Sequence, residues 1–204
     1  EGSAATATGG DEICRAYYKI EEALTRYGAV VAAKARRKEC DRRCWNLCRL
    51  EGTVALDCGA SPGGWTKYLL TEAKCATVYG VDPGELDPSV VALRGAKRMR
   101  MRAEEAIPLL AREGVRIDVW TSDMCLHVMS DQLDWLFRAK RAGILRPGAM
   151  FVLTLKCNVG HSRATFDSQA QKEVRRLDGL ATGVEILHLF SNRSGERTVM
   201  GFLS

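Results

Sequence analysis

Two charged residues, Asp123 and Lys156, each close an apolar run, Ile117-Asp118-Val119-Trp120-Thr121-Ser122 for the first and Phe151-Val152-Leu153-Thr154-Leu155 for the second. A charge at the end of a buried strand is half dehydrated, which is costly unless it is paired or put to use. An Asp/Lys couple there suits either proton handling or an ordinary strand-end ion pair. A third run, Thr53-Val54-Ala55-Leu56-Asp57, feeds into Cys58-Gly59-Ala60-Ser61-Pro62-Gly63-Gly64-Trp65. Gly59 allows a tight turn with close backbone approach, and Gly63-Gly64 opens a helix without side chains in the way. The spacing is not G-x-G-x-x-G, so a dinucleotide pyrophosphate is not the natural guest. Asp82 ends the next apolar run, where a carboxylate accepts the hydroxyls of a ribose.

These residues need a scaffold that brings strand ends together. Helical periodicity is predicted from Asp11, a candidate N-cap, with Ile13, Tyr17, Ile20, Leu24 and Tyr27 on one face. The helical pattern is expected to continue over 29–50, Ala-rich at first and then very basic. Strands are predicted at 53–57, 77–81, 98–102, 117–122, 150–155, 184–190 and 197–203, with helices to about 73 and at 104–113, 131–143 and 165–181. Arg98-Met99-Arg100-Met101-Arg102 alternates as a half-buried strand near a sheet edge does, and Arg146-Pro147-Gly148 reads as a turn. Strands alternating with helices imply an α/β, doubly wound, mostly parallel sheet. The last two strands are separated only by 191–196, too short for a parallel crossover, so they must pair antiparallel.

The chain of 204 residues is 46% hydrophobic and 27% charged, the balance of one globular domain over 11–204, with 1–10 expected as a disordered leader. No apolar run approaches the roughly 18–20 residues of a membrane span. A net charge of +5, from 30 basic against 25 acidic residues, hints at an anionic partner. The basic residues concentrate in 34–43, 94–102, 138–141 and 172–176, which are either RNA-facing patches or solvated faces. Eight cysteines in a chain of this length fit a reducing, intracellular compartment better than a disulfide framework. Cys40, Cys44 and Cys48 form one helical stripe and are expected to pack with Trp45. No metal site is expected, since His127, His161 and His188 lack ligand spacing.

Five runs taken in order resemble the FtsJ-like ribose 2′-O-methyltransferases: Arg15-Ala16-Tyr17-Tyr18-Lys19, Leu56-Asp57-Cys58-Gly59-Ala60-Ser61-Pro62-Gly63-Gly64-Trp65, Ser122-Asp123-Met124, Leu155-Lys156, and Ser191-Asn192-Arg193-Ser194-Gly195-Glu196-Arg197. Within that family the Arg-Ala-Tyr-x-Lys and Ser-Pro-Gly-Gly-Trp-Thr runs look closest to RlmM-type enzymes acting on large-subunit ribosomal RNA. The resemblance implies a Rossmann-like methyltransferase fold and S-adenosyl-L-methionine as cofactor. It places Lys19, Asp123, Lys156 and Glu196 in the family's catalytic Lys-Asp-Lys-Glu tetrad. Asp57, Gly59, Pro62, Gly63, Gly64 and Trp65 match the cofactor loop and Asp82 the ribose-binding acid, and Asp123 is placed among the cofactor-binding residues as well. Glu104, in Arg102-Ala103-Glu104-Glu105, takes the place of the residue that reaches the adenine.

The implied reaction agrees with these residue types. A ribose hydroxyl is a poor nucleophile, so a base or strong acceptor must lie against it, aligned with the methyl group. Lys156 is expected to take the proton or steer the hydroxyl, positioned by Asp123 and Glu196; Lys19 disfavours its charge by like-charge repulsion, and the two carboxylates favour it. The partner implied is RNA, ribosomal RNA before tRNA or an mRNA cap, with ribosomal particles as the setting and a monomer as the acting form. A non-catalytic RNA-binding or assembly factor on the same fold is the alternative of a different class.

Overall fold

The computed structural model describes residues 8–37, 49–156 and 163–204, with side chains described from Arg15 in the first helix and from Thr165 in the sixth. Its elements run α1 (Thr8–Arg36), β1 (Val54–Cys58), α2 (Gly64–Thr71), β2 (Thr77–Val81), α3 (Pro88–Val91), β3 (Ala96–Met99), α4 (Ala103–Arg112), β4 (Ile117–Ser122), α5 (Ser130–Arg141), β5 (Leu145–Lys156), α6 (Arg163–Val174), β6 (Ala181–Leu187) and β7 (Glu196–Leu203).

Strand periodicity builds the sheet and its two cores. Along β1, β4 and β5 successive side chains point to opposite faces, and both faces are apolar. Leu56, Trp120, Phe151, Leu153 and Leu155 enter one core with Ile107 and Leu110 of α4, Leu133 and Leu136 of α5, and Phe166 of α6. Ala55, Val119, Met150 and Val152 enter the other with Ile20, Ala23 and Tyr27 of α1 and Trp65 and Leu69 of α2. The seven strands are ordered β3-β2-β1-β4-β5-β7-β6. The first five are parallel, and β7 lies antiparallel between β5 and β6. The α/β, mostly parallel Rossmann-like sheet with an antiparallel last strand is thus as expected, and β3 occupies an edge.

Several boundaries differ from those predicted. The first helix begins at Thr8, so Asp11 lies inside it rather than capping it, and part of the segment read as a leader is helical. Two glycines cost a helix only about 1 kcal/mol each, which its long apolar face outweighs. The same helix runs on unbroken to Arg36, in line with the expected continuation of the helical pattern past residue 28; the remainder of the basic stretch and the Cys40, Cys44 and Cys48 stripe lie outside the described residues. Arg146-Pro147-Gly148 is not a turn but a bulge within β5, where the register to β4 jumps between the Ile117↔Leu145 and Val119↔Met150 pairs. The strand predicted at 98–102 is Ala96–Met99, with Met99 buried and Arg98 and Arg100 exposed as the alternation required. The helix predicted to 181 ends at Val174, followed by a turn at Gly179, whose φ is +73°. Consequently β6 starts at Ala181 and stops at Leu187, leaving Phe190 in the following loop.

Candidate active site

The sheet order reverses between β1 and β4, the place in an open α/β sheet where a crevice opens beyond the carboxyl ends of the strands. The loop after β1 is held tightly there. Gly59 N donates to Val81 O at 2.9 Å, and Gly59 adopts φ +79°. A Cβ at Gly59 would lie 2.9 Å from the Cα of Met124, so glycine is required by both conformation and space. Gly63, at φ +122°, packs its bare Cα against Val90 of α3. Asp82 ties the loops together: Oδ1 accepts from Gly84 N at 2.7 Å and Oδ2 from Ser61 N at 3.2 Å.

Between these loops and α4 lies a cleft of about 420 Å³, walled by Gly59, Val81, Asp82, Glu104, Met124 and Trp135 among others. Of the residues expected to bind a cofactor, Gly59, Asp82 and Glu104 line this cleft. Asp57, Pro62, Gly63, Gly64, Trp65 and Asp123 are not among its lining residues. Asp57 is fully buried beneath the loop, accepting from Thr66 Oγ1 at 2.8 Å and Thr121 Oγ1 at 3.0 Å. Burial raises its carboxyl to about 7, against the opposing effect of those two hydroxyls. Trp65 is packed in the α1–α2 core, Gly63 faces Val90, and Gly64 is buried as the first residue of α2. Pro62 is half-buried, its carbonyl accepting from Asp87 N at 2.9 Å. These contacts hold the shape of the loop from below. The cleft walls Met101, Leu126 and Trp135 were not anticipated; Met101 was visible only as one half of the Arg/Met alternation.

Four charged residues converge beside the cleft. Lys19, in the fourth turn of α1, donates to Asp123 Oδ1 at 2.9 Å and to Glu196 Oε2 at 3.1 Å. Lys156, the last residue of β5, donates to the Asp123 carbonyl at 2.6 Å and lies 3.0 Å from the same Oδ1. Lys156 and Glu196 are direct partners across the β5–β7 ladder. The predicted tetrad residues therefore meet, and two of them, Lys19 and Lys156, are 6% and 9% exposed. A neighbouring network that sequence reasoning missed fixes the Asp123 segment. Asp123 N donates to Cys58 O at 3.2 Å, Ser122 Oγ to Gln132 Oε1 at 2.6 Å, and Gln132 Nε2 to Met124 O at 2.8 Å. Gln132 carried no signal in sequence beyond being a polar residue on a helix.

Of the two opposing influences expected on Lys156, the carboxylates prevail. Burial alone would raise the Asp123 carboxyl, but the Lys19 and Lys156 ammonium groups outweigh it and hold it below the ordinary carboxylate range. Burial alone would lower Lys156, yet the charge and hydrogen bond of Asp123 outweigh that and raise it above 10.5. Lys19 accordingly does not keep Lys156 neutral, and Glu196 pairs with Lys19 rather than positioning Lys156 directly. Asp123 is the hub, and Lys156 rests as an ammonium.

A Rossmann-like sheet of this order with its cleft at the switch point defines an α/β methyltransferase fold. The chain belongs to the FtsJ-like methyltransferase family, whose model matches residues 13–155. Lys156 and Glu196 lie beyond that match, so their place beside Lys19 and Asp123 comes from the geometry. The fold is shared with a candidate hemolysin from Lactococcus lactis, at 19% identity and TM-score 0.60 over 76% of this chain and 79% of that one. A candidate ribosomal RNA methyltransferase from Plasmodium falciparum aligns at 16% identity and TM-score 0.52 over 80% of this chain and 97% of that one. Aeropyrum pernix fibrillarin, solved with natively bound S-adenosyl-L-methionine, aligns at 20% identity and TM-score 0.51 over 76% of this chain and 67% of that one. No protein of curated function matches the chain by sequence.

Membership of a methyltransferase family makes S-adenosyl-L-methionine the group to test against the cleft, and the residues fit it. Asp82 offers carboxylate oxygens at the end of β2 for ribose hydroxyls, and Glu104 an acceptor in the first turn of α4. Val81, Met101, Met124 and Leu126 supply apolar walls for a flat base, and the bare Gly59 leaves room on the loop side. Among the described residues no helix is long and apolar enough to cross a membrane.

Proposed function

We propose that this chain transfers a methyl group from S-adenosyl-L-methionine to a ribose 2′-hydroxyl of RNA, with ribosomal RNA as the substrate. The observation that carries this is the convergence of Lys19, Asp123, Lys156 and Glu196 beside the cleft that Gly59, Asp82 and Glu104 line. When bound, the cofactor supplies an electrophilic methyl group for an in-line displacement by the hydroxyl oxygen.

The protein's part is positioning and proton handling. Lys156, resting as an ammonium on Asp123, donates to the hydroxyl oxygen and orients it. To accept the hydroxyl proton it must first release one of its own, and Asp123 sets how hard that is. Lys19 bridges Asp123 and Glu196, fixing both carboxylates. Glu196 is further held by the Arg193 N–H at 3.2 Å.

RNA as the substrate class is supported by the basic surplus and by the family motifs around Lys19 and Ser61-Pro62-Gly63-Gly64-Trp65. Not every basic run is available for phosphates. Arg176 is engaged by Asp134 and Glu173, and Arg98 and Arg100 by Glu85. The ribosomal preference rests on the RlmM-type runs and on the fold shared with the Plasmodium falciparum protein.

The test is transfer of labelled methyl to ribosomal RNA, tRNA and capped RNA, followed by alkaline hydrolysis, which a 2′-O-methyl group blocks at its own linkage. Label in alkali-resistant dinucleotides from ribosomal RNA supports the proposal. Label on bases, or on tRNA or cap alone, replaces the substrate, and RNA binding with no transfer favours an assembly factor.

A further inference from the structure

The loop joining β6 to β7 displays a bare aromatic ring. Phe190 is 97% exposed, although phenylalanine is normally buried. Its backbone is not loose. Phe190 N donates to Glu22 Oε1 at 2.8 Å, and Ser191 donates to Glu22 Oε2 through both N, at 3.3 Å, and Oγ, at 3.1 Å. Leu189 N donates to Asn192 Oδ1 at 2.9 Å. The side chain is thus held out on a fixed base, with the Arg26 guanidinium 5.8 Å from the ring centroid. Backbone amides and Arg26 together push the Glu22 carboxyl below its ordinary range against a burial effect that would raise it, so the clamp stays ionised at neutral pH.

The clamp also fixes where the ring lies. Glu22 follows Lys19 by three residues on α1, one turn or roughly 5 Å along the helix. On the same side of that helix stand exposed Arg15 and Tyr18, the latter 59% exposed. Exposed Arg193 follows Phe190 in the loop that leads to Glu196. Two outward aromatic rings set among arginines, beside the hydroxyl-activating residues, suit unpaired bases on a phosphate backbone. They do not form the continuous apolar patch that a protein partner needs.

We propose that Phe190, with Arg26 behind it, is a stacking platform for an unpaired base of the RNA substrate close to the target ribose, with Tyr18 continuing the surface. This rests on the RNA reading above and adds that the substrate is single-stranded at the target, since a paired base cannot splay onto a ring. Phe190 is a positioning residue and touches no reacting atom.

The test uses Phe190→Ala and Phe190→Trp in the full chain, with a single-stranded RNA oligonucleotide and its duplex as probes. Phe190→Ala is expected to raise the KM for single-stranded RNA roughly 5- to 150-fold, the range for loss of one stacked base. Its kcat, cofactor affinity and melting temperature should stay as in the parent. Phe190→Trp should restore KM, and its fluorescence should be quenched by the single strand and not by the duplex. That quench needs no methyl transfer, so it separates failure of this proposal from failure of the proposed reaction. No quench, an unchanged KM in Phe190→Ala, or loss of self-association instead of RNA affinity overturns it.

Discussion

The Lys156 ammonium donates to Asp123 at two points, the main-chain carbonyl at 2.6 Å and side-chain Oδ1 at 3.0 Å. A lysine so held gives up its proton less readily than a free one, and its Nζ is aimed by the backbone as well as by the carboxylate. The rate of methyl transfer should therefore climb with pH through the neutral and alkaline range, tracking the small neutral fraction of Lys156. A log-rate profile of slope near +1 between pH 7 and 9, at saturating substrates, is the expected result. A flat profile would mean that Lys156 acts only as a charged guide.

Asp123→Asn removes the counter-charge shared by two buried ammonium groups. Breaking a buried pair costs roughly 3–5 kcal/mol; the Asp123 side chain is 23% exposed, so the loss should fall at the low end. Urea unfolding measures it, and a change below about 0.5 kcal/mol would show that solvent already screens the hub.

Asp57 makes a prediction of the opposite sign from a salt-bridged carboxylate. Its folded value, about 7, stands above its ordinary 3.8, so the folded state prefers it protonated. Stability tied to Asp57 is present below about pH 4 and declines as pH rises toward 7, by up to about 1.4 kcal/mol per unit. Asp123, lowered instead, loses its contribution only as pH falls below 3.8, so the windows are separate. Thermal melts from pH 4.5 to 7.5 should fall for the parent relative to Asp57→Asn. Parallel curves would place a charged Asp57 in the native core.

Gly59→Ala puts a Cβ 2.9 Å from Met124 Cα at φ +79°. Strain of about 1–3 kcal/mol is expected, along with cofactor affinity weakened on the order of tenfold as the cleft wall shifts. Calorimetry of S-adenosyl-L-methionine binding checks this, and affinity within twofold of the parent would dissociate Gly59 from the cleft.

The parallel sheet was legible because Thr53–Asp57, Ile117–Ser122 and Phe151–Leu155 are short apolar runs ending in polar residues, a pattern set by burial on both faces. The bulge at Arg146-Pro147-Gly148 was not, because a turn signature and a bulge share the same residues and only pairing to β4 tells them apart. The tetrad followed from residue types in matched motifs, and its members do meet. Its wiring was hidden: Lys19, Asp123 and Glu196 come from distant segments, and which carboxylate serves which lysine depends on side-chain reach across α1, β4 and β7. For the same reason the support that Asp57 and Trp65 give the loop from beneath, through Thr66 and the α1–α2 core, was not legible.

The most direct test of the central claim is Lys156→Ala assayed for cofactor binding and methyl transfer on one preparation. The account predicts S-adenosyl-L-methionine affinity within about twofold of the parent and ribose methylation reduced roughly 10²–10⁴-fold, the usual worth of a positioned proton-transfer group. Full 2′-O-methylation by Lys156→Ala would contradict it.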